Sequence, residues 1–239
     1  MSEIFMYDFG DGNGVVEARR HSNGGGIVAL TATVADTVYI GEDARVFGNA
    51  KVSDNAKVSG NARVFNNARI FGHAEVYENS QAHGNSWVYG NAQVYGNAQV
   101  SDNARVFGDA HVYGNSHVSG KAQVYENAWV YGNAHILENS QVSGNAEVYG
   151  NARIFGDSQV YDNTQVYGNS HVSGKAQVYE NAWVYGNAHI LENSQVSGNS
   201  HVFGNAKVSG NANIHENAKV YGDMQVLSDM SGDEQLPSV

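Results

Sequence analysis

The chain has 239 residues, among them 28 glycines, one proline and no cysteine, and carries a formal charge of −11. This balance excludes disulfides and thiolate metal ligands, and it argues against general nucleic-acid binding, which rests on a positive footprint. No apolar run approaches the roughly 18 residues of a membrane helix, and the acidic start MSEIFMYDFGDGNG is unlike a secretory leader, so the expected location is the cytoplasm.

Residues 1–26 lie outside any repeat and are expected to cap the repetitive body. Within them the run DFGDGNG, Asp8 to Gly14, has the composition of a calcium loop without its spacing. From Val28 to Val226 every sixth residue is Val or Ile, thirty-four positions in unbroken register, and Ala82 is the one exception. Two residues before each stands a small residue, and two after it comes Gly, Asp or Glu, usually followed by Asn, so the unit reads small-x-Val-x-Gly-Asn. In a three-residue strand the small residue and the Val share the inner face, and the intervening side chains point out. Gly-Asn is a turn signal, because both residues tolerate a positive φ. Helix is excluded, since a six-residue apolar spacing drifts around a 3.6-residue cylinder. Strands this short cannot stand alone, so the predicted body, residues 27–227, is a parallel β-solenoid, and residues 228–239 are expected to form a flexible acidic tail.

The outward residue after each Val sets the coil length. Taking every third hexad gives Tyr77, Tyr95, Tyr113, Tyr131, Tyr149, Tyr167, Tyr185, Phe203 and Tyr221, nine aromatics at a spacing of 18. Three hexads per coil and about eleven coils follow. The segment KAQVYENAWVYGNAHILENSQVSGN, Lys121 to Asn145, recurs letter for letter from Lys175 to Asn199. The offset between Lys121 and Lys175 is nine hexads, or three whole coils, so the copy returns each side chain to its own face. Ala82 lacks the methyl groups of its column, so its coil is expected to exchange amide protons faster than its neighbours.

Residues 28–226 resemble the hexapeptide-repeat left-handed β-helix superfamily, in which an aliphatic residue is followed four positions later by a small one, as in Val94 with Ala98 and Val100 with Ala104. The segment HSNGGGIVALTATVADTVYIGEDARVFGNA is similar to the opening of bacterial and phage-encoded proteins with GNAxVYGNA repeats. The resemblance implies an all-β, triangular left-handed solenoid and a homotrimer; the left hand comes from it and not from the spacing. It also implies two chemistries to weigh. Acyltransferases of the superfamily use a histidine between subunits, usually with an inserted loop or a helical C-terminal extension that this chain lacks. The γ-class carbonic anhydrases bind zinc across an interface.

Function on a solenoid lies in its outward columns. Tyr95, Tyr113, Tyr131, Tyr149, Tyr167 and Tyr185, widened by Trp129 and Trp183, form the first candidate surface, suited to ring stacking between coils, to a sister subunit or to a ligand. His117, His135, Arg153, His171 and His189 form the second, a basic column suited to an anionic ligand such as a nucleotide. Neither a carboxylate nor a third histidine stands beside the histidine pairs, so no metal site, no cofactor and no catalytic residue is assigned. Gln123, Gln141, Gln159, Gln177, Gln195 and Asn213 suggest an amide ladder. Arg45, Lys51, Lys57, Arg63 and Arg69 ring the first coils, as solvated surface or as a site for an anionic partner. The expected function is a non-enzymatic scaffold or binding protein that assembles with itself through the aromatic face. An acyltransferase with an interfacial histidine and a protein that sequesters small anions stand as alternatives.

Overall fold

The computed structural model describes residues 3–232 and is all-β among them. The chain divides into two compact units, Met1–Asn115 and Ser116–Val239. The expected tail falls partly on residues 233–239, which lie outside the described residues. Of the rest, Met230–Ser231 pairs in parallel with Ile214–His215, and Asp229 accepts a hydrogen bond from the Asn213 amide.

The first unit opens with a hairpin, β1 (Ile4–Asp8) and β2 (Val15–Arg20), paired antiparallel. β2 also pairs antiparallel with β3 (Ile27–Ala29), and β3 starts a parallel stack with Arg45–Val46. From there each coil contributes three two-residue strands, each bonded to its counterpart in the next coil. Glu75 pairs with Gln93, Arg69 with Trp87 and Gln81 with Gln99. The second unit repeats the scheme, as in His135 with Arg153, Gln141 with Gln159 and Trp129 with Glu147. We number the faces of each unit in sequence order. In the second unit the first face starts at His117, the second at Gln123 and the third at Trp129.

The inward Val and Ile are almost fully buried from Val28 to Val226, and the residue two before each is buried with them except at Ala32 and Met224, which are half-buried. Ala82 holds its place between Val64 and Val100 at 0% exposure. At several places where Ser replaces the small Ala its hydroxyl reaches the backbone, as when Ser80 Oγ donates to Tyr77 O at 2.7 Å, whereas Ser86, Ser116 and Ser170 Oγ are buried without a partner.

Both turn residues tolerate the left-handed conformation, but the corners place only one of them in it. That conformation falls on the first residue of the pair, as at Gly144 (φ 68°) and Glu126 (φ 59°). A side chain at Gly144 would put its Cβ 2.5 Å from Asp162 N. Where an acid stands there instead, its carboxylate accepts from the backbone one coil on: Glu126 Oε2 from Gly144 N at 2.6 Å, Glu138 Oε2 from Gly156 N at 2.8 Å. A charge-assisted bond of this kind offsets the cost of a left-handed non-glycine residue. The second turn residue, Asn, is thereby free to build the ladder. Asn133, Asn151, Asn169, Asn187 and Asn205 pass amide hydrogen bonds along the second unit at 2.9–3.0 Å. The amide ladder thus runs on the corner asparagines, whereas Gln141 and Gln195 accept from phenols, Tyr125 and Tyr179, at 3.3 and 3.2 Å.

Candidate functional site

The predicted aromatic residues lie on the third face. In the first unit Tyr77, Tyr95 and Tyr113 stack with centroids 4.8 Å apart and interplanar angles of 4° and 1°. In the second, Tyr131, Tyr149, Tyr167, Tyr185, Phe203 and Tyr221 stack with centroids 4.8 to 5.6 Å apart. The cause is the parallel register. Identical corners in successive coils repeat at the strand spacing, and a flat ring fills that spacing. Most of these rings are half-buried, and some phenols are tied down: Tyr131 Oη donates to Glu147 and Tyr149 Oη to Gln165, at 3.1 and 3.4 Å. Burial, followed by the neighbouring Tyr77 and Tyr113 phenols and Glu78, pushes the Tyr95 phenol up to about 12. Burial likewise raises Tyr149, Tyr167 and Tyr185.

Trp129 and Trp183 stand on the same face and are more open, 41% and 37% exposed. Trp183 sits next to His201, with ring centroids 5.3 Å apart. Glu147, Gln165 and Lys219 complete the outward side of this sheet.

His117, His135, Arg153, His171 and His189 lie in consecutive register on the first face, so the structure separates them from the aromatic residues. The His117 and His135 rings are 5.9 Å apart, and those of His171 and His189 are 4.8 Å apart. Burial, then the charges of His117 and Arg153, holds His135 below the usual histidine range. Burial, then His189 and Arg153, does the same to His171. Each pair therefore holds one imidazole whose charged form is disfavoured, with a guanidinium between the pairs. Among the described residues no group of three or more His, Cys, Asp or Glu is placed to hold a metal ion.

Of the basic residues of the first coils, Arg45, Lys57, Arg63 and Arg69 are engaged within their own unit, while Lys51 is exposed. Arg63 Nη2 donates to Phe9 O at 2.7 Å and its guanidinium lies over Phe47. Arg45 lies over Tyr7, Arg69 and Arg105 lie over Trp87, and Lys57 pairs with Glu75 at 2.8 Å. In the Asp8–Gly14 turn, Asp8 Oδ1 accepts from Gly10 N, and both Asp11 oxygens accept from Asn13. These bonds lower the Asp11 pKa and turn its carboxylate onto the hairpin itself.

Two features escaped the sequence reading. One is a column Phe9, Phe47, Phe65 and His83, stacked at 4.7–4.9 Å, that docks the hairpin on the first face. The other is a broken aromatic column on the second face, Tyr125, Ser143, Tyr161, Tyr179 and Ser197, whose members also recur once per coil.

Comparison with known proteins bears on the repeat. Residues 98–114 and 146–162 match the family model described as YdcK Beta solenoid repeat. No curated protein matches the sequence. Among solved structures, the chain is similar to the UDP-N-acetylglucosamine acyltransferase of Arabidopsis, with 15% identity and a TM-score of 0.46, covering 72% of this chain and 67% of that one. It is also similar to the UDP-N-acetylglucosamine O-acyltransferase (LpxA) of Moraxella catarrhalis RH4, with 13% identity and a TM-score of 0.21, over 77% and 68% of the two chains. Neither likeness bears on what this chain does; the parallel β-solenoid itself rests on the strand register and the repeat match.

Proposed function

We propose that the chain is a non-enzymatic binding scaffold that associates with further copies of itself through the third face, with any ligand held between copies. The observation that carries this reading is the exposure of Trp129 and Trp183 beside an unbroken tyrosine stack. Aromatic side chains of this size are what interface centres bury, and a contiguous row of them on an outer face marks a contact surface. The stacked rings are already held in place, so covering them loses little conformational entropy. Glu147 and Lys219 carry opposite charges on the same sheet and can register one copy against the next. A trimer is the assembly that the sequence resemblance suggests.

Sedimentation equilibrium of the full chain tests this. The expected mass is a multiple of one chain, falling to one chain in the double variant Trp129→Ser, Trp183→Ser with its β-sheet circular dichroism retained. A single-chain mass for the unaltered protein overturns the proposal.

One observation favours a second reading. The depressed pKa values of His135 and His171 leave imidazoles in the form a general base requires. An acyltransferase using His135 or His189 would lose acyl-CoA turnover in His135→Ala or His189→Ala, and unaltered protein that turns over no acyl-CoA ends this reading. The same column, with Arg153 and Lys207, would suit a small anion such as a nucleotide, which native mass spectrometry of protein purified from its host would retain.

A further inference from the structure

The second face of the second unit carries an aromatic column interrupted at two places, Ser143 and Ser197. Tyr161 and Tyr179 stack with centroids 5.2 Å apart. One coil before Tyr161, where the column calls for a ring, stands Ser143, and one coil before that stands Tyr125. Two coil steps separate the Tyr125 and Tyr161 rings, roughly 9.6 Å at strand spacing, which leaves room for one ring about 4.8 Å from each. An open cavity of about 190 Å³ occupies this place, lined by Tyr125, Gln141, Ser143, Gln159, Val160 and Tyr161. Ser143 is buried there, at 7% exposure.

The polar groups point the same way independently. At five places on the second and third faces, though not at Tyr161, the phenol of residue i donates to the carbonyl or carboxylate of residue i+16. Tyr77 donates to Gln93, Tyr125 to Gln141, Tyr131 to Glu147, Tyr149 to Gln165 and Tyr179 to Gln195. Gln159 occupies the i+16 position of residue 143, so serine there removes the phenol that would serve its Oε1. The exact duplication contains an internal control. Ser197 follows Tyr179 as Ser143 follows Tyr125, and Asn213 stands in the place of Gln159. Asn213 Oδ1 is buried without a hydrogen-bond partner. Both interruptions of the column thus remove a ring and its donor together.

We infer that the gap at Ser143 is a binding site for a small planar ring bearing a hydrogen-bond donor on its edge, stacked between Tyr125 and Tyr161 and donating to Gln159. Phenols and amino-bearing nucleobases share this chemistry. The volume lies below the roughly 300–1,000 Å³ of pockets for drug-sized ligands, so one ring system fills it. Gln141 and Gln159 each present an amide with a donor and an acceptor, which suits the edge of a heteroaromatic ring as well as a hydroxyl. This site is on a different face from the proposed self-association surface and stands apart from that reading.

Calorimetric titration of the full-length protein with p-cresol, toluene and adenine tests the site. Saturable binding of p-cresol or adenine is expected, with toluene at least several-fold weaker because it brings no donor. The tighter of the first two identifies the source as a phenol or a nucleobase. Ser143→Tyr fills the gap with the chain's own ring and should weaken binding at least tenfold, while Ser197→Tyr leaves it in place. Gln159→Leu keeps the slot open and should reduce the preference for p-cresol over toluene, which provides a second measure if Ser143→Tyr fails to fold. Equal binding by the unaltered protein and folded Ser143→Tyr overturns the inference, as does the absence of saturable binding. A change of sedimenting mass in Ser143→Tyr also overturns it, since the gap would then hold a ring from another copy.

Discussion

In the second unit, two aromatic columns arise from the same corner position on different faces. On the third face the rings from Tyr131 to Tyr221 follow one another in every coil, and on the second face the run is cut at Ser143 and again at Ser197. Backbone register is the same on both, with each strand paired to its counterpart one coil on. The coil therefore does not require the rings, and what they add is separable from what the hydrogen-bonded backbone supplies. A continuous column gives each ring two neighbours, whereas an interrupted one leaves a ring face and an amide to be served by something else.

Truncation should expose this difference most strongly. The Tyr167 ring lies between Tyr149 at 4.8 Å and Tyr185 at 5.1 Å, while Tyr161 has Tyr179 on one side and the Ser143 gap on the other. Stacked pairs are worth about 0.5–1.5 kcal/mol beyond their buried area, so Tyr167→Ala should cost about 2–3 kcal/mol and Tyr161→Ala about 1–2 kcal/mol. Urea midpoints at unchanged slope measure both. Equal losses would mean that stacking adds nothing to burial and would erase the distinction between the columns.

Titration sharpens the comparison at a smaller scale. Burial raises the phenols of Tyr149, Tyr167 and Tyr185 on the third face and of Tyr161 on the second. A raised phenol pKa means that the unfolded chain loses its proton first. The resulting stability is complete below the unfolded value near pH 10 and is lost as the pH climbs toward the folded values. The expected outcome is a fall in the urea midpoint above pH 10, flattened more by the triple change of Tyr149, Tyr167 and Tyr185 to Phe than by Tyr161→Phe. The histidines respond at the other end. The folded values of His135 and His171 are depressed, so their contribution is present above about pH 6.5 and is lost as the pH falls through those values. His135→Gln and His171→Gln should shallow that acid limb, and an unchanged limb would show that burial does not hold these rings neutral.

The fold was open to sequence reasoning because Val or Ile recurs every sixth residue in one register, broken only by Ala82, and the outward aromatic residues recur every eighteenth, which gives the coil. Tyr95 over Tyr113 at 4.8 Å is the contact that this period demands. Side-chain partners were harder to read, because period alone does not say which group bonds to which. Asn and Gln look interchangeable as ladder formers, but the corner Asn is short and held by its turn, so it meets its copy directly. Gln141 extends from the strand to where the phenol of Tyr125 arrives. The gap at Ser143 is present in the sequence only as a missing ring in a series with one member per coil, and a Ser among outward residues has no meaning until the rings on either side of it are placed in space. The hairpin on the first face carries no repeat, and it joins the coils through the β2–β3 pairing and through Phe9 stacked on Phe47, which period alone does not reveal.

The smallest expected effect applies the same contrast to single hydroxyls. Ser158 and Ser170 occupy equivalent inward positions in the second unit, both fully buried, and each replaces the Ala of the repeat. Ser158 Oγ donates to Phe155 O at 2.8 Å, whereas Ser170 Oγ is buried without a partner. Alanine fits both places. Removing a satisfied hydroxyl should cost about 0.5–1 kcal/mol, and removing an unsatisfied one should be neutral or stabilise by up to about 1 kcal/mol. Thermal midpoints of Ser158→Ala and Ser170→Ala should therefore move in opposite directions, or the second should not move at all. A matching loss in both would mean that Ser170 finds a partner in solution, and the contrast between a satisfied and an unsatisfied hydroxyl at the same place in the repeat would then disappear.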